Sequence, residues 1–475
     1  MKTMKQPWLL ACLKGLLGVA LLLGSVALLD SQNVFFDVRE ANDHREKRWD
    51  HLRHMSRANV PVDVVVLGNS HAYTGISPEF MSGALKSNAF VLANPGTTAA
   101  DCYWNLKALL ELHQPRVVAL ETYALDERDH HHMNADMLVN QIKAFQVRKH
   151  AGRQWASSLS LFPLDDLGLA LSETVRNHHY TWEGFPSGRG RAKYSLQERH
   201  LGQFIRFTTG MTDSLVQEYG RLGPVVDGSE KFISDENRHY AAKIAELCAA
   251  QGIELMLFTL PMYRDHVANA EPWIARFESL AEELQLPYLN LQTENNLSQN
   301  PTYFENTREP NQHMTFLGSV AASDRLSAFI EKRWRDSLPF RGEDPDWVAF
   351  HSGNPGLYAY AYTTAADENA EILAQNATTA SFKVDQIVIA DVPKRKDIRQ
   401  IWVRLSGLDG AQVGGKSFFM LRMRAQLRDG SAPSIAALKV PKNPTIQRDD
   451  NVVFTTTVKA LDVLEMVDMS LQTSP

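Results

Sequence analysis

Apolar positions along this chain fall into three patterns. From Pro7 to Leu29 they are almost continuous, PWLLACLKGLLGVALLLGSVALL, with Lys14 as the one charge. From about residue 62 to 333, short unbroken apolar runs alternate with amphipathic stretches. Beyond about residue 344 no long amphipathic helix is evident, and short β-type runs follow one another between turn-forming residues.

The first pattern is long enough to cross a bilayer as a helix. Lys2, Lys5 and Lys14 lie at its N-terminal side, which favours a cytoplasmic N-terminus and a body on the outer side. A cleaved signal peptide is the rival reading, with Gly15 to Leu29 as its apolar core, but SVALLDSQ offers no clear small-x-small cleavage site. The expectation is a retained single-pass anchor over 1–30 in the inner membrane, with the body facing the periplasm or cell exterior. The charged stretch that follows, free of Pro and Gly, reads as a helical stalk over 31–60.

The second pattern predicts an α/β domain over 61–338. Continuous apolar runs suit parallel strands covered on both faces: VDVVVLG (Val62 to Gly68), AFVLAN (Ala89 to Asn94), RVVALET (Arg116 to Thr122), GIELMLFTLP (Gly252 to Pro261) and PYLNL (Pro287 to Leu291). Helices are expected from Thr97 to Leu112, Ile233 to Gln251, Trp273 to Leu284 and Phe316 to Arg333. A polar insertion over 123–231 breaks the alternation. Strands alternating with helices imply an open, mostly parallel sheet, whose site lies at the carboxyl ends of the strands.

The third pattern, with LYAYAYTT, SFKVDQIVIA, RQIWVRLSG, SFFMLRMRAQL, SIAALKV and NVVFTTTVKA, predicts an all-β sandwich over 344–475. Tyr358, Tyr360 and Tyr362 alternate onto one face of a strand. They suit stacking on sugar rings or packing between sheets equally well.

Composition narrows function by exclusion. A net charge of −6 over 475 residues gives no electrostatic case for nucleic acid. Three cysteines are too few for a disulfide scaffold; Cys102 and Cys248 read as buried thiols, with a disulfide as the alternative. His130, His131 and His132, and His178 with His179, lack the spacing of a metal site. They read as solvated loops, and no metal or cofactor is expected.

Four fragments carry candidate chemistry: Gly68-Asn69-Ser70-His71 after strand one, NPGTT (Asn94 to Thr98) after strand two, ETY (Glu121 to Tyr123) after strand three, and EPNQHMTFLGS (Glu309 to Ser319) before the last helix. A serine hydroxyl needs a nearby base to become a nucleophile, and acyl transfer needs donors aimed at the developing oxyanion. Ser70 can attack and His313 can take its proton. The backbone N–H groups of Ser70 and Gly96 can hold the oxyanion, with Thr122 or Tyr123 as further donors. His71 shapes the turn or meets substrate, and Tyr263 lines the cleft or packs.

This layout resembles the SGNH (GDSL-like) hydrolase superfamily. LGNSHA, NPGTTA and NQHMTFLGS are similar to its membrane-anchored branch, which includes the alginate O-acetylation proteins and the lipoteichoic acid D-alanylation protein. The resemblance covers about Asp63 to Arg333. Two features depart from it. Where the superfamily places an aspartate before the histidine, this chain has Pro310 or Asn311, with Glu309 one residue further back. Asn311 and Glu309 are therefore the candidates to orient His313. The usual Gly-x-Asn-Asp block is replaced by ETYALD.

The resemblance implies O-acyl transfer, with acetyl the expected group, to a secreted or cell-envelope polysaccharide. It also implies a membrane-bound O-acyltransferase-type partner that delivers the acyl group. Two alternatives stand beside it: a carbohydrate acetyl-esterase using the same residues, and a catalytically inactive glycan-binding or scaffold subunit.

Overall fold

The structure is a computed structural model. It describes residues 7–31, 44–126, 142, 144–145, 158–172, 174–175, 201–204, 210–211, 213–224, 226–305 and 313–344, and strands between 371 and 473. Helix α1 (Pro7–Ser31) is followed by α2 (His44–Arg57). The α/β domain then runs β1 (Val64–Gly68), α3 (Ser70–Gly75), α4 (Pro78–Leu85), β2 (Ala89–Ala93), α5 (Ala99–Leu109) and β3 (Val117–Glu121). The insertion holds α6 (Asp213–Leu222), and after it come α7 (Asp235–Ala250), β4 (Glu254–Thr259), α8 (Ala270–Glu283), β5 (Tyr288–Asn290) and α9 (Phe316–Trp334). Each expected strand and helix is found within a few residues of its expected bounds.

The helix starts follow from local chemistry. Thr98 and Asp101 form a reciprocal capping box at α5, Ser234 accepts from the Asn237 N–H at α7, and Thr315 caps α9 by accepting from the Gly318 N–H. Each satisfies first-turn donors that have no intrahelical acceptor.

All five strands are parallel, in the order β2-β1-β3-β4-β5. The chain leaves β1 towards one edge and returns to β3 on the other side. The β1/β3 boundary is thus the topological switch point, where an open sheet forms a crevice at its carboxyl ends.

The alternating sides of each strand feed two cores. Val64, Val66, Val91, Ala119, Met256 and Phe258 pack with α4 and α9. Val65, Leu67, Phe90, Leu92, Val118, Leu120 and Leu257 pack with α5, α7, α8 and also α2. The expected stalk is therefore corrected in part. In α2, Trp49, Leu52 and Met55 are fully buried in this second core, and burying each such side chain stabilises by roughly 1.5–3 kcal/mol. Helix α2 is part of the domain.

The domain also runs past residue 338. Arg341 grips the buried Asp63 through two bonds of 2.7 and 2.8 Å, and Asp63 accepts a further bond from the Asn88 N–H. Cys102 and Cys248 are buried and not joined in a disulfide; burial pushes the Cys248 thiol up to about 12.

Helix α1 has one window, Ala11–Leu29, long and apolar enough to cross a membrane by length and composition, and none of that window is buried. The C-terminal segment forms two antiparallel sheets. One, of five strands, has the order Ile446–Arg448, Asn451–Lys459, Arg395–Ser406, Lys383–Val392, Glu371–Thr378. The other, of three, has the order Ser434–Pro441, Ser417–Leu427, Leu461–Thr473. Trp402, on Arg395–Ser406, is buried in the core shared with α4 and α9. Tyr358, Tyr360, Tyr362 and the two histidine clusters lie outside the described residues.

Candidate active site

Strand β1 ends at Gly68, and the side chain of Asn69 caps the helix that starts at Ser70 by accepting from the His71 N–H at 3.0 Å. Glycine is required at 68 because a β-carbon there would lie 2.7 Å from Cβ of Ala72 and 2.9 Å from Cβ of Glu121. The chain can thus turn sharply out of β1 and present Ser70, half-buried, at the switch point. Within the described residues the Ser70 N–H makes no hydrogen bond, as expected of a first-turn donor.

After β2, Pro95 and Gly96 form a turn closed by the Thr97 N–H on the Asn94 carbonyl at 3.3 Å, with Gly96 at φ +64°. Proline followed by a residue of positive φ is the signature of a type II turn, and glycine adopts that φ without strain. The turn occupies the strand end next to Ser70.

His313 enters from the other side of the crevice. It precedes α9, and its ring lies 5.9 Å from the ring of His71, the residue next to Ser70. The backbone on either side of it pairs with an upstream segment: Met314 bridges Phe304, and the Glu305 N–H donates to the His313 carbonyl at 3.1 Å. This pairing places the Glu305 carboxylate, fully buried, with Oε2 4.0 Å from Nδ1 of His313. Sequence reasoning missed Glu305. It lies eight residues before the histidine and reaches it across a β-bridge, so no short spacing marks it. The expected orienting residues, Asn311 and Glu309, lie outside the described residues.

His71 stacks on Tyr123, ring centroids 3.8 Å apart, and Tyr123 in turn meets Trp273 edge-on at 5.1 Å. Burial, then the neighbouring His313 and Lys231, hold His71 well below the usual histidine range. Its imidazole is therefore neutral at pH 7. Burial, then the charge of Glu121, raise the Tyr123 phenol well above its ordinary value. The Glu121 carboxylate accepts from the Tyr123 N–H at 3.1 Å and fixes the turn after β3.

The surroundings of Thr122 and Tyr263 bear on their expected roles. Thr122 is fully buried: its N–H donates to the Phe258 carbonyl, and its hydroxyl lies 2.6 Å from that of Thr259, which is 2.6 Å from the Tyr288 hydroxyl. The Thr122 N–H is engaged in joining β3 to β4, and its hydroxyl is buried against Thr259, away from an oxyanion. Tyr263 is buried against His266 and Phe304, at ring distances of 5.1 and 5.7 Å, and is a packing residue. Burial, with Asp265 beside it, pushes its phenol up to about 12. Among the described residues, no cluster of three or more His, Cys, Asp or Glu can hold a metal ion.

The arrangement therefore gathers a serine at a helix start, a histidine, a buried carboxylate and a glycine turn at the switch point of a parallel sheet. These are the parts that nucleophilic acyl chemistry needs. No protein-family model matches the chain, and no curated protein matches it. Solved structures with a similar chain path include a GDSL-like lipase from Bacteroides thetaiotaomicron VPI-5482 and, named as an acylhydrolase by assignment, a protein from Bacteroides fragilis NCTC 9343. Both are 13% identical with a TM-score of 0.28; the first match covers 62% of this chain and 100% of the lipase, the second 60% and 95%. A gut microbial diltiazem-metabolizing enzyme aligns at 10% identity and a TM-score of 0.20, over 73% of this chain and 56% of its own. At these levels of likeness, the functional reading rests on the residues and their geometry.

Proposed function

We propose that this chain is a serine-dependent acyl-transfer enzyme of SGNH-like design. The observation that supports the reading is that the His313 ring lies 5.9 Å from that of His71, the residue after Ser70, with the buried Glu305 carboxylate 4.0 Å from its Nδ1. Glu305 faces Nδ1 of His313, which leaves Nε2 for the serine. In the first step His313 takes the Ser70 proton as the hydroxyl oxygen attacks the ester carbonyl. The oxyanion accepts hydrogen bonds from the Ser70 and Gly96 N–H groups. Collapse forms the acyl-serine, and His313 returns its proton to the departing alcohol. In the second step a hydroxyl group attacks the acyl-serine, again with His313 as base, and Ser70 is regenerated.

When the second hydroxyl belongs to a sugar, the product is an O-acylated polysaccharide; when it is water, the outcome is ester hydrolysis. The polysaccharide reading draws on the resemblance to the alginate O-acetylation proteins, on a helix that can anchor the body to a membrane, and on the additional C-terminal sheets. These sheets are proposed to pack as a sandwich that holds glycan. A membrane-bound O-acyltransferase-type partner would deliver the acyl group, with the body on the periplasmic or outer face.

The test uses the full chain in detergent, an acetyl-ester reporter and an oligosaccharide acceptor. Ser70→Ala is expected to lower turnover by about 10⁴-fold or more with the thermal transition unchanged. Turnover insensitive to Ser70→Ala would place the chemistry elsewhere. Absence of turnover in the parent protein with acceptor present would leave the chain a glycan-binding or scaffold subunit. Products resolve the rest: acylated oligosaccharide marks a transferase, free acetate alone an esterase.

A further inference from the structure

Helix α2 carries an arginine, Arg48, only 6% exposed. Burying a guanidinium is costly unless its donors are satisfied, and these donors reach across chain segments. Nη1 donates to Asn94 Oδ1 at 2.6 Å, and Nε donates to the Gly202 carbonyl at 2.6 Å. The guanidinium carbon lies over the Tyr73 ring, 4.3 Å from its centroid. Asn94 is the first residue of the turn that holds Gly96. Tyr73 lies in the short helix that Ser70 begins, and its carbonyl accepts from the Phe204 N–H at 2.9 Å. Gly202 lies within the insertion, where the Leu201 carbonyl accepts from the Val91 N–H on the edge strand β2.

One side chain from outside the sheet thus touches the residue that sets the glycine turn and the helix that presents the serine. We infer that Arg48 is a positioning residue, which holds the Gly96 turn in register with Ser70 so that both N–H groups face one oxyanion. The inference rests on the functional reading above. The fork geometry explains the residue type: arginine can bond two acceptors in fixed directions and stack on a ring at once, whereas lysine offers a single ammonium.

The test pairs turnover with hydrogen exchange, which reads the turn whether or not the chain is an enzyme. Arg48→Met is expected to raise amide exchange over residues 89–98 and to lower kcat by about 10- to 100-fold, the scale of a misplaced catalytic group, with little change in KM. Asn94→Leu should reproduce both effects. Asn94→Asp, whose carboxylate still accepts from Arg48, should restore both. The double variant Arg48→Met with Asn94→Leu should be no worse than either alone, since both remove one link. Arg48→Lys keeps a buried cation in place if Arg48→Met fails to fold, and should fall between parent and Arg48→Met.

Unchanged exchange over 89–98, or additive losses in the double variant, would overturn the tie. Raised exchange with unaltered kcat, in a protein whose turnover Ser70→Ala abolishes, would overturn the positioning role. If turnover does not depend on Ser70, the functional reading falls and takes the catalytic half of the inference with it, while the exchange result still decides whether Arg48 holds the turn.

Discussion

At the residue scale, the acid of the constellation separates what spacing reveals from what it hides. Ser70 and His313 are legible because each stands at a fixed place in the alternation of strands and helices. Glu305 is not, because its place depends on the Phe304–Met314 bridge folding the chain back on itself. Thr122 reads as an oxyanion donor in sequence, and its burial against Thr259, far along the chain, is not legible there. If Glu305 orients His313 and stabilises its protonated form, Glu305→Gln keeps the volume but removes the charge. Turnover of an acetyl ester should then fall by about 10²- to 10⁴-fold, by analogy with carboxylate-to-amide changes in serine enzymes, with KM nearly constant. The same assay on Asn311→Ala should show a smaller loss. A loss below threefold for Glu305→Gln would reassign the carboxylate to a structural role.

At the element scale, the five strands were readable because a buried parallel strand is an unbroken apolar run. Helix α2 reads as a stalk in sequence because its composition is so charged, His44 to Arg57 carrying seven Lys, Arg, Asp and Glu. The signal was present in Trp49, Leu52 and Met55, three apolar residues at spacings of three that mark one helix face. The clasp between Asp63 and Arg341 was also illegible, since 278 positions separate the two. It fastens the segment after α9 to the start of β1. Arg341→Gln leaves the buried Asp63 carboxylate without its fork, and should lower the free energy of unfolding in urea by about 2–3 kcal/mol. Because the clasp is at the amino ends of the strands, Ser70-dependent turnover measured well below the transition should stay the same.

At the scale of the whole molecule, pH acts through buried histidines. Burial holds His71, His113 and His266 below their ordinary value of 6.5. Each therefore binds its proton more readily when unfolded. Their contribution is constant above pH 6.5 and is lost as pH falls below it towards the lower folded values. The carboxyl groups of Asp126 and Glu294, raised by burial, pull the opposite way, and do so nearer the acid range of carboxylates. The melting temperature should therefore drop between pH 7 and pH 5.5, and His113→Gln should reduce that slope; a flat profile in the parent would contradict the burial of these rings. The proposed anchor makes a separate prediction. A chain lacking residues 1–31 should hydrolyse a soluble acetyl ester as fast as the full chain, yet fail to modify polymer in cells, a difference seen by comparing reporter turnover with the acyl content of the exported glycan. The reason is one of reach. Because α2 is sealed into the body, only residues 32–43 link the domain to α1, and a segment of that length spans about 40 Å at most. With α1 in the bilayer, the proposed catalytic crevice would be leashed to a thin shell over the membrane surface. On the proposed reading, an acyl group handed up at that surface would meet it at a high effective concentration, and a polymer would receive its modification while it emerges, not after it has drifted away.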